Sequence, residues 1–294
     1  MDYEPPTIYG IIGNPLSHSL SPLMHNAAFK ALKVNAVYKL FPLQDEQELK
    51  LFMDDLKDVG NPIFGLNVTV PYKETVMPYI DVVDPFAKKV GAVNTLVISH
   101  ERNIIGINTD GPGFLSHLQE LKFDLKDKRV VIFGAGGTAR AILTVLCMVH
   151  PRPENIKLYN RTKDKAVKLV EELGLRMDAS LIEVVDNTED LNIEIADLVI
   201  NTTSLGLKGE QSLLIDPHSF HPDMLVYDVI YNPPQTPLLK AAIEKGAQTA
   251  NGLGMLYYQG VLAFTHWAGT DIDDKYKLIM RKALEEGLGK QLHG

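Results

Sequence analysis

Short apolar segments of strand length alternate with segments of helical periodicity along nearly the whole chain. In the first third, the predicted elements are a strand at 7–13, a helix at 21–34, a strand at 36–43, a helix at 45–59 and a strand at 65–70. A hairpin is predicted from 92–98 and 104–108. Alternation of this kind predicts an α/β fold with layers around a mostly parallel sheet.

A second series of elements begins near residue 110, with a helix at 110–121 that is suited to connecting two domains. The strands predicted after it are 129–133, 156–162, 196–200 and 224–231. Two C-terminal helices, 254–269 and 275–289, are expected to pack back on the first series. We therefore predict a discontinuous first domain, 1–109 with 253–294, and a second domain at 110–252, with a cleft between them.

The segment 65–73 carries candidate chemistry on a strand. Asn67 and Thr69 alternate with apolar residues, and Lys73 follows the strand end. A carboxamide, a hydroxyl and an amine are groups that hold a polyhydroxylated small molecule and move a proton on it. A half-exposed strand whose polar residues face water has the same pattern, so this segment alone leaves both interpretations open.

Composition excludes several classes of protein. The 294 residues are 45% hydrophobic and 22% charged, with a net charge of -8, so neither nucleic acid nor an anionic membrane is an expected partner. The single cysteine, Cys147, cannot form an internal disulfide or anchor a metal site alone, and it fits a reducing compartment. No apolar run approaches the ~20 residues that span a bilayer. We expect a cytoplasmic protein with no metal.

A glycine-rich turn follows the strand at 129–133 and precedes an apolar helix. Its pattern is Gly134-x-Gly136-x-x-Ala139, which is typical of dinucleotide sites. Gly134 permits the tight turn, Gly136 lets the backbone approach a pyrophosphate, and Ala139 allows close packing of helix on strand. The helix N-terminus would offer free N–H groups to the phosphates, although a plain structural turn remains the alternative.

The end of the next strand indicates which nucleotide binds. An NAD site usually has Asp or Glu there, whereas this chain has Asn160, Arg161, Thr162 and Lys163. Arg161 can stack on adenine and hold a 2′-phosphate, and Thr162 can donate a hydroxyl. This favours NADP, and an ordinary basic turn is the alternative.

Two further loops are candidate parts of the nucleotide site. The loop 201–206 includes Thr202 and Thr203 and follows a predicted parallel strand, where open α/β sheets place their ligands. The segment 251–260 has glycines where a backbone approaches something flat, which could be a nicotinamide, with Met255 as an apolar neighbour. Plain turns explain both patterns equally well.

A serine pair precedes the first helix, which Ser21 can cap and Pro22 can start. Ser17 and Ser19 present hydroxyls at the positive end of that helix, which suits a carboxylate. His18 between them is better interpreted as a structural hydrogen-bonding residue than as a catalyst.

Asn94 lies in an apolar strand and Asp110 ends another, where a helix N-cap is the alternative interpretation. Lys73 could equally be a solvated lysine. Taken with the nucleotide turn, Lys73 and Asp110 resemble a functional pair. An ordinary lysine pKa of about 10.4 must be lowered for general base catalysis, and a nearby carboxylate opposes this while it orients the amine.

Together these segments resemble the shikimate dehydrogenase family over residues 7–269. The motifs that match in order and spacing are SHSLSP, NVTVPYK, GAVNT, NTDG, GAGGTAR, NRT, NTTSLG, DVIYNP and NGLGMLYYQG. The resemblance implies a substrate domain and a Rossmann-type NADP domain that flank a cleft. It also implies reversible, NADP-linked oxidation of the C3 hydroxyl of shikimate to 3-dehydroshikimate, in aromatic amino acid biosynthesis.

The resemblance assigns roles to residues of this chain. Ser17 and Ser19 would bind the carboxylate, and Lys73 would relay the proton. The ring hydroxyls would be bound by Asn67, Thr69, Asn94 and Asp110, and the pocket closed by Tyr231 and Gln259. The pyrophosphate would be held by Gly134, Ala135, Gly136, Gly137, Thr138, Ala139 and Arg140, the 2′-phosphate by Asn160, Arg161 and Thr162, and the nicotinamide by Gly252 and Met255.

One position departs from the family pattern: Val229 stands where some members have Met near the nicotinamide. The absence of an acid near the adenosine ribose favours the NADP branch over the quinate/shikimate branch. Three alternatives stay open: a quinate or aminoshikimate dehydrogenase, a non-catalytic NADP-binding sensor, and a C1-carrier dehydrogenase. The expected partner is a small-molecule substrate, and the chain could be a monomer or a homodimer.

Overall fold

The computed structural model describes residues 5–207 and 215–293, and side chains up to residue 289. It divides into two compact units. Unit 1 comprises Met1–Gly113 and Leu256–Gly294, and unit 2 comprises Phe114–Met255. The α/β fold class predicted from the alternation is confirmed, with one sheet in each unit.

Unit 1 contains a mixed six-stranded sheet. Its strands are β1 (Thr7–Gly13), β2 (Ala36–Pro42), β3 (Ile63–Val68), β4 (Val82–Val83), β5 (Thr95–Ile98) and β6 (Ile104–Ile107), and the helices among them are α1 (Ser21–Leu32), α2 (Glu46–Asp55) and α3 (Pro85–Val90). The strand order is β2-β1-β3-β5-β6-β4. β1 pairs in parallel with β2 and β3, whereas β5 is antiparallel to both β3 and β6, which confirms the predicted hairpin.

The chain leaves unit 1 within α4 (Asp110–Glu120), and the sheet of unit 2 is wholly parallel. The elements of unit 2 are β7 (Arg129–Phe133), α5 (Gly137–Met148), β8 (Asn155–Tyr159), α6 (Lys163–Gly174), β9 (Ile182–Val184), β10 (Leu198–Asn201), β11 (Leu225–Asp228), α7 (Pro237–Glu244) and β12 (Gln248–Ala250). The strand order β12-β11-β10-β7-β8-β9 places the first strand of the unit at the centre, where the order reverses. This is the doubly wound arrangement of dinucleotide-binding domains.

Two C-terminal helices complete unit 1. The chain returns within α8 (Leu253–Ala268), and α9 (Asp274–His293) packs on α1. Short 3₁₀ turns lie at Met77–Tyr79, Thr188–Leu191, Ile193–Ile195 and Pro217–Ser219. Within the described residues, no helix combines the length and apolar character needed to cross a membrane.

Burial explains why the central strands read as continuous apolar runs. Val130, Val131, Ile132 and Phe133 of β7 are each at most 2% exposed, because helices cover both faces of a parallel sheet. In unit 1, Ile12, Leu66 and Leu96 from three adjacent strands form the centre of the core.

Three local predictions need correction. The strand predicted to reach residue 70 ends at Val68, and Asn67 is only 4% exposed, so its polar side chain does not face water. β8 likewise ends at Tyr159, before the basic segment. Ser21 is not the N-cap of α1; the cap position is Leu20, and the Ser21 amide donates to Ser19 Oγ at 3.4 Å.

Candidate active site

An ion pair joins the partly buried Lys73 to the buried Asp110 in unit 1. Lys73 Nζ lies 2.7 Å from Asp110 Oδ2, and the two side chains are 12% and 7% exposed. Lys73 lies in the turn after β3, and Asp110 is the first residue of α4. The amide of Asp110 donates to Asn108 Oδ1 at 3.1 Å, which shapes the turn that enters the helix. Asp110 is the first helical residue, so it is not the N-cap, and its carboxylate is bound to Lys73.

Asn94 connects this pair to the surrounding polar side chains. Its Nδ2 donates to Asp110 Oδ1 and Thr109 Oγ1, each at 2.9 Å, and to Gln259 Oε1 at 3.4 Å. Its Oδ1 accepts from the Thr109 amide at 2.7 Å and from Thr95 Oγ1 at 3.1 Å. Asn94 precedes β5 by one residue, so it lies just outside the strand in which it was predicted. The network leaves Asp110 with one oxygen toward Asn94 and the other toward Lys73.

Asn67 adds a second carboxamide to the cluster. Its Oδ1 accepts from the Tyr38 hydroxyl at 2.7 Å, and its Nδ2 donates to Asn94 O and to Thr95 Oγ1, each at 3.3 Å. Sequence reasoning did not single out Tyr38, Thr95 or Thr109. Thr109 lies within the quoted NTDG motif, whereas the contact of Tyr38 depends on the pairing of β1 with both neighbours, which no local pattern reveals.

Three further residues proposed to bind the substrate lie at less buried positions of unit 1. Ser17 is exposed and Ser19 is partly buried, in the turn before α1. Thr69 is partly buried, and its amide donates to Ile12 O at 2.9 Å. Within the described residues, no hydrogen bond links Ser17 or Thr69 to the Lys73 cluster. Both serines precede α1 in the chain, and Ser19 Oγ accepts from the amide of Ser21, the first residue of that helix.

The glycine turn of unit 2 has the geometry of an anion site. Gly134 has φ +108°, a conformation that an L side chain rarely adopts, and a Cβ there would collide with Thr202 Oγ1. Gly136 has φ −95° and is exposed, and a Cβ there would meet nothing within 4 Å. The fold itself therefore does not require a glycine at 136. Ala139 is fully buried, and α5 begins at Gly137 without a side-chain cap, so its first N–H groups have no side-chain acceptor.

Of the basic residues around this turn, some are held in ion pairs with acidic side chains and one is exposed without such a partner among the described residues. Arg140 is buried, and its Nη2 lies 2.7 Å from Glu172 Oε2 of α6; this hydrogen bond lowers the pKa of the Glu172 carboxyl. Arg161 is exposed and makes no hydrogen bond or ion pair with any described residue. Asn160 Nδ2 donates to Thr162 O at 2.7 Å, which shapes the turn, and Lys163 pairs with Asp186.

Side chains at the ends of β10 and β11 hydrogen-bond to each other and to the loop that follows β10. Thr203 Oγ1 donates to Asn201 Oδ1 at 2.7 Å, and Thr202 Oγ1 donates to Phe133 O at 2.6 Å. Asn201 Nδ2 in turn donates to the fully buried Asp228, whose pKa is raised by burial. Thr202 and Thr203 are thereby placed beside the glycine turn, since Thr202 Oγ1 lies against Gly134.

The segment 251–255 contacts its own unit closely. A Cβ at Gly252 would collide with the Val229 carbonyl group, and one at Gly254 would collide with the His117 ring. Contacts within the unit therefore account for both glycines, which were predicted to approach a ligand. Met255 is buried, and Val229 and Tyr231 are partly buried.

The parallel sheet of unit 2, with its glycine turn at the central strand, defines a dinucleotide-binding α/β protein, and unit 1 supplies a buried Lys–Asp pair among amides and hydroxyls. Among the residues that the structure describes, no group of three or more His, Cys, Asp or Glu side chains is placed to hold a metal ion.

Comparisons with known proteins identify the family. Residues 11–96 match the shikimate dehydrogenase substrate binding domain, and residues 117–207 match the shikimate / quinate 5-dehydrogenase model. The shikimate dehydrogenase (NADP(+)) of Moorella thermoacetica is 42% identical over 98% of this chain and 95% of its own length.

Solved structures agree. The shikimate dehydrogenase of Aquifex aeolicus has a TM-score of 0.85 and 37% identity, and the match covers 97% of this chain and 99% of that one. The shikimate 5-dehydrogenase of Thermus thermophilus, in complex with NADP(H) and shikimate, has a TM-score of 0.81 and 31% identity over 95% and 99%. The chain belongs to the shikimate dehydrogenase family and is an oxidoreductase.

Proposed function

We propose that this chain catalyses the reversible, NADP-dependent oxidation of the C3 hydroxyl of shikimate to 3-dehydroshikimate. The observation that carries the proposal is the largely buried Lys73–Asp110 pair, whose Nζ and Oδ2 lie 2.7 Å apart within a cluster of amides and hydroxyls. We assign the substrate to the domain formed by 1–109 and 253–294, and NADP to 110–252. Relatives over nearly the full length of the chain carry the same activity in their names.

Lys73 and Asp110 are the proposed catalytic residues. Oxidation removes a hydride from C3 and a proton from its oxygen, and the nicotinamide of bound NADP supplies the hydride acceptor. In the oxidative direction the hydroxyl proton passes to Lys73 Nζ, and in the reductive direction Nζ returns it to the carbonyl oxygen. Asp110 orients Nζ, and Asn94 Nδ2 holds the other Asp110 oxygen at 2.9 Å.

The carboxylate and the ring hydroxyls of the substrate are assigned to residues by the chemistry of their side chains and their position in the chain. Ser17 and Ser19, beside the N-terminus of α1, would bind the carboxylate. Ring hydroxyls would be bound by Asn67, Thr69, Asn94 and Asp110, and Tyr231 and Gln259 stay the residues predicted to close the pocket. A non-catalytic sensor would need no buried Lys73–Asp110 pair, and a serine pair suits a small carboxylate better than the pterin of a C1-carrier dehydrogenase.

The residues of unit 2 fit NADP. Gly136 is exposed and open on its Cβ side, and the uncapped start of α5 presents N–H groups, so a pyrophosphate has both space and donors. Arg161 is an exposed cation in the turn after β8, has no partner among the described residues, and would hold the 2′-phosphate with Asn160 and Thr162. Arg140, bound to Glu172, would contribute its backbone and the placement of the helix.

Initial rates at the absorbance of reduced nicotinamide test the proposal, with shikimate or quinate as substrate and NADP or NAD as cofactor. We expect the highest kcat/KM with shikimate and NADP. Higher turnover of quinate would move the chain to the quinate branch, and absence of turnover with all four combinations would contradict an enzymatic role. Cytoplasmic location and a monomeric or homodimeric state stay predictions.

A further inference from the structure

Tyr38 contacts Asn67, a residue proposed to bind the substrate, and has no assigned role of its own. It is 2% exposed, and its hydroxyl donates to Asn67 Oδ1 at 2.7 Å. Resting on the proposed function, we infer that Tyr38 is a positioning residue: it fixes the carboxamide of Asn67, a residue proposed to bind the substrate ring hydroxyls.

The orientation of the Asn67 amide follows from its neighbours. Asn94 O is a backbone carbonyl and can only accept, so the Asn67 atom 3.3 Å from it is the donor Nδ2. Asn67 Oδ1 must then receive a proton from Tyr38, since the opposite orientation would bring two carbonyl oxygens together. Burial raises the pKa of Tyr38 well above its ordinary value, which keeps the phenol protonated as a donor.

Two consecutive residues of α1 hold Tyr38 in place. The His25 ring stacks on the Tyr38 ring, with centroids 4.5 Å apart and planes 14° from parallel. Asn26 bonds both backbone groups of Tyr38: its Oδ1 accepts from the Tyr38 amide at 2.8 Å, and its Nδ2 donates to the Tyr38 carbonyl at 3.1 Å. Ring, backbone and hydroxyl of Tyr38 are thus each fixed by a separate contact.

This arrangement has a consequence for substrate binding. The Asn67 carboxamide makes three contacts: Nδ2 donates to Asn94 O and to Thr95 Oγ1, and Oδ1 accepts from the Tyr38 hydroxyl. A substrate hydroxyl that meets Asn67 is therefore met by an amide whose donor and acceptor ends are already fixed. Loss of the Tyr38 hydroxyl would leave Asn67 Oδ1 without its donor and loosen the amide, which would weaken binding of the substrate hydroxyl without a direct effect on Lys73.

Tyr38→Phe tests the inference because it deletes one oxygen atom and keeps the ring that stacks on His25. We expect KM for shikimate to rise roughly five- to tenfold, from the loss of one oriented hydrogen bond. We expect kcat to stay within about twofold, and KM for NADP to be unchanged, because Tyr38 touches neither the catalytic pair nor unit 2. A tenfold fall in kcat with unchanged KM would contradict the inference.

Tyr72→Phe is the matched control. The Tyr72 hydroxyl is also buried, and it donates to Leu43 O at 2.8 Å inside the core of unit 1. The two variants lose the same chemical group, so equal rises in KM would show general loosening and overturn the inference. Thermal unfolding followed at Trp267 confirms that both variants are folded before rates are compared.

A double-mutant cycle with Asn67→Ala separates action through Asn67 from any other effect. In the Asn67→Ala background, Tyr38→Phe should change KM for shikimate by less than about twofold. The same five- to tenfold rise in both backgrounds would overturn the inference while leaving the proposed function intact. A wild-type chain that does not turn over shikimate would overturn both. If Tyr38→Phe does not fold, Asn67→Asp, which keeps the acceptor and removes the donor, should raise KM at least as much.

Discussion

His25 makes the stability of unit 1 depend on pH. Its side chain is fully buried on α1, stacked on Tyr38 and packed against Phe264 and Trp267. Neither ring nitrogen has a hydrogen-bond partner among the described residues, and burial alone lowers the pKa of His25 to about 3. The ring is therefore neutral in the folded protein at every pH at which the enzyme is expected to work.

The size of the pH-dependent loss of unfolding free energy follows from linkage between protonation and folding. The unfolded chain takes up a proton at an ordinary histidine pKa of about 6.5, whereas the folded chain does not until about pH 3. A group whose pKa is lowered by folding in this way removes stability as the pH falls from about 6.5 toward 3. Between pH 7.5 and 5.0 the loss is about 2 kcal/mol, and it depends almost wholly on the unfolded pKa.

Denaturant unfolding at pH 7.5 and 5.0 measures this loss in wild type and in His25→Phe. The chain has one tryptophan, and that residue, Trp267, lies 5.0 Å from the His25 ring, so its fluorescence follows the unfolding of unit 1. The quantity of interest is the difference between the two proteins in their pH-dependent loss of unfolding free energy. Any constant effect of the larger Phe ring cancels in that difference, as do all other titrating groups.

We expect wild type to lose about 2 kcal/mol more than His25→Phe between the two pH values. Phe29→Leu is the control, because it lies in the same aromatic cluster and has no titrating group. It should lower the unfolding free energy alike at both pH values and keep the wild-type pH dependence. Identical pH dependence in wild type and His25→Phe would refute the reasoning, since it would mean that folded His25 is protonated or hydrated.

Local patterns predicted those parts of the site that depend on one strand and one turn. The glycine turn was recognisable because β7, Gly134, Gly136 and α5 are consecutive in the chain, and its backbone geometry is set there. The pairing of Lys73 with Asp110 was also anticipated, since each follows a strand end.

Contacts between distant segments could not be predicted in this way. Tyr38 reaches Asn67 only because β1 lies between β2 and β3, and this register is a property of the sheet. Gly252 is a second example. The glycine-rich segment around it predicts a close approach of the backbone to another group, but only the folded chain reveals that this group includes the Val229 carbonyl. For Arg140, the motif predicts a position on α5, whereas its ion pair with Glu172 depends on how α6 packs.

Three further predictions concern the proposed activity. Arg161→Ala should raise KM for NADP by about ten- to a hundredfold and leave NAD use nearly unchanged, because a charged contact to phosphate contributes roughly 1.5–3 kcal/mol. Arg152→Ala is the control: it removes an exposed arginine paired with Asp178 and should change neither value. Lys73→Ala should lower kcat by about 10²–10⁴-fold with little change in shikimate binding, and Asp110→Asn should impair both kcat and KM. Lys57→Ala is the control and should change neither, because Lys57 is an exposed, ion-paired lysine of the same unit. A retained tenth of wild-type kcat in Lys73→Ala would leave Lys73 as a binding residue only. The double variant Ser17→Ala/Ser19→Ala should lose affinity for shikimate by about a hundredfold or more, since each hydroxyl contributes roughly 1.5–3 kcal/mol toward a carboxylate. Its discrimination between shikimate and the methyl ester should fall in proportion, because the ester lacks the charge that those hydroxyls and the positive end of α1 stabilise. Equal use of acid and ester by the wild-type enzyme would show that the carboxylate is bound elsewhere.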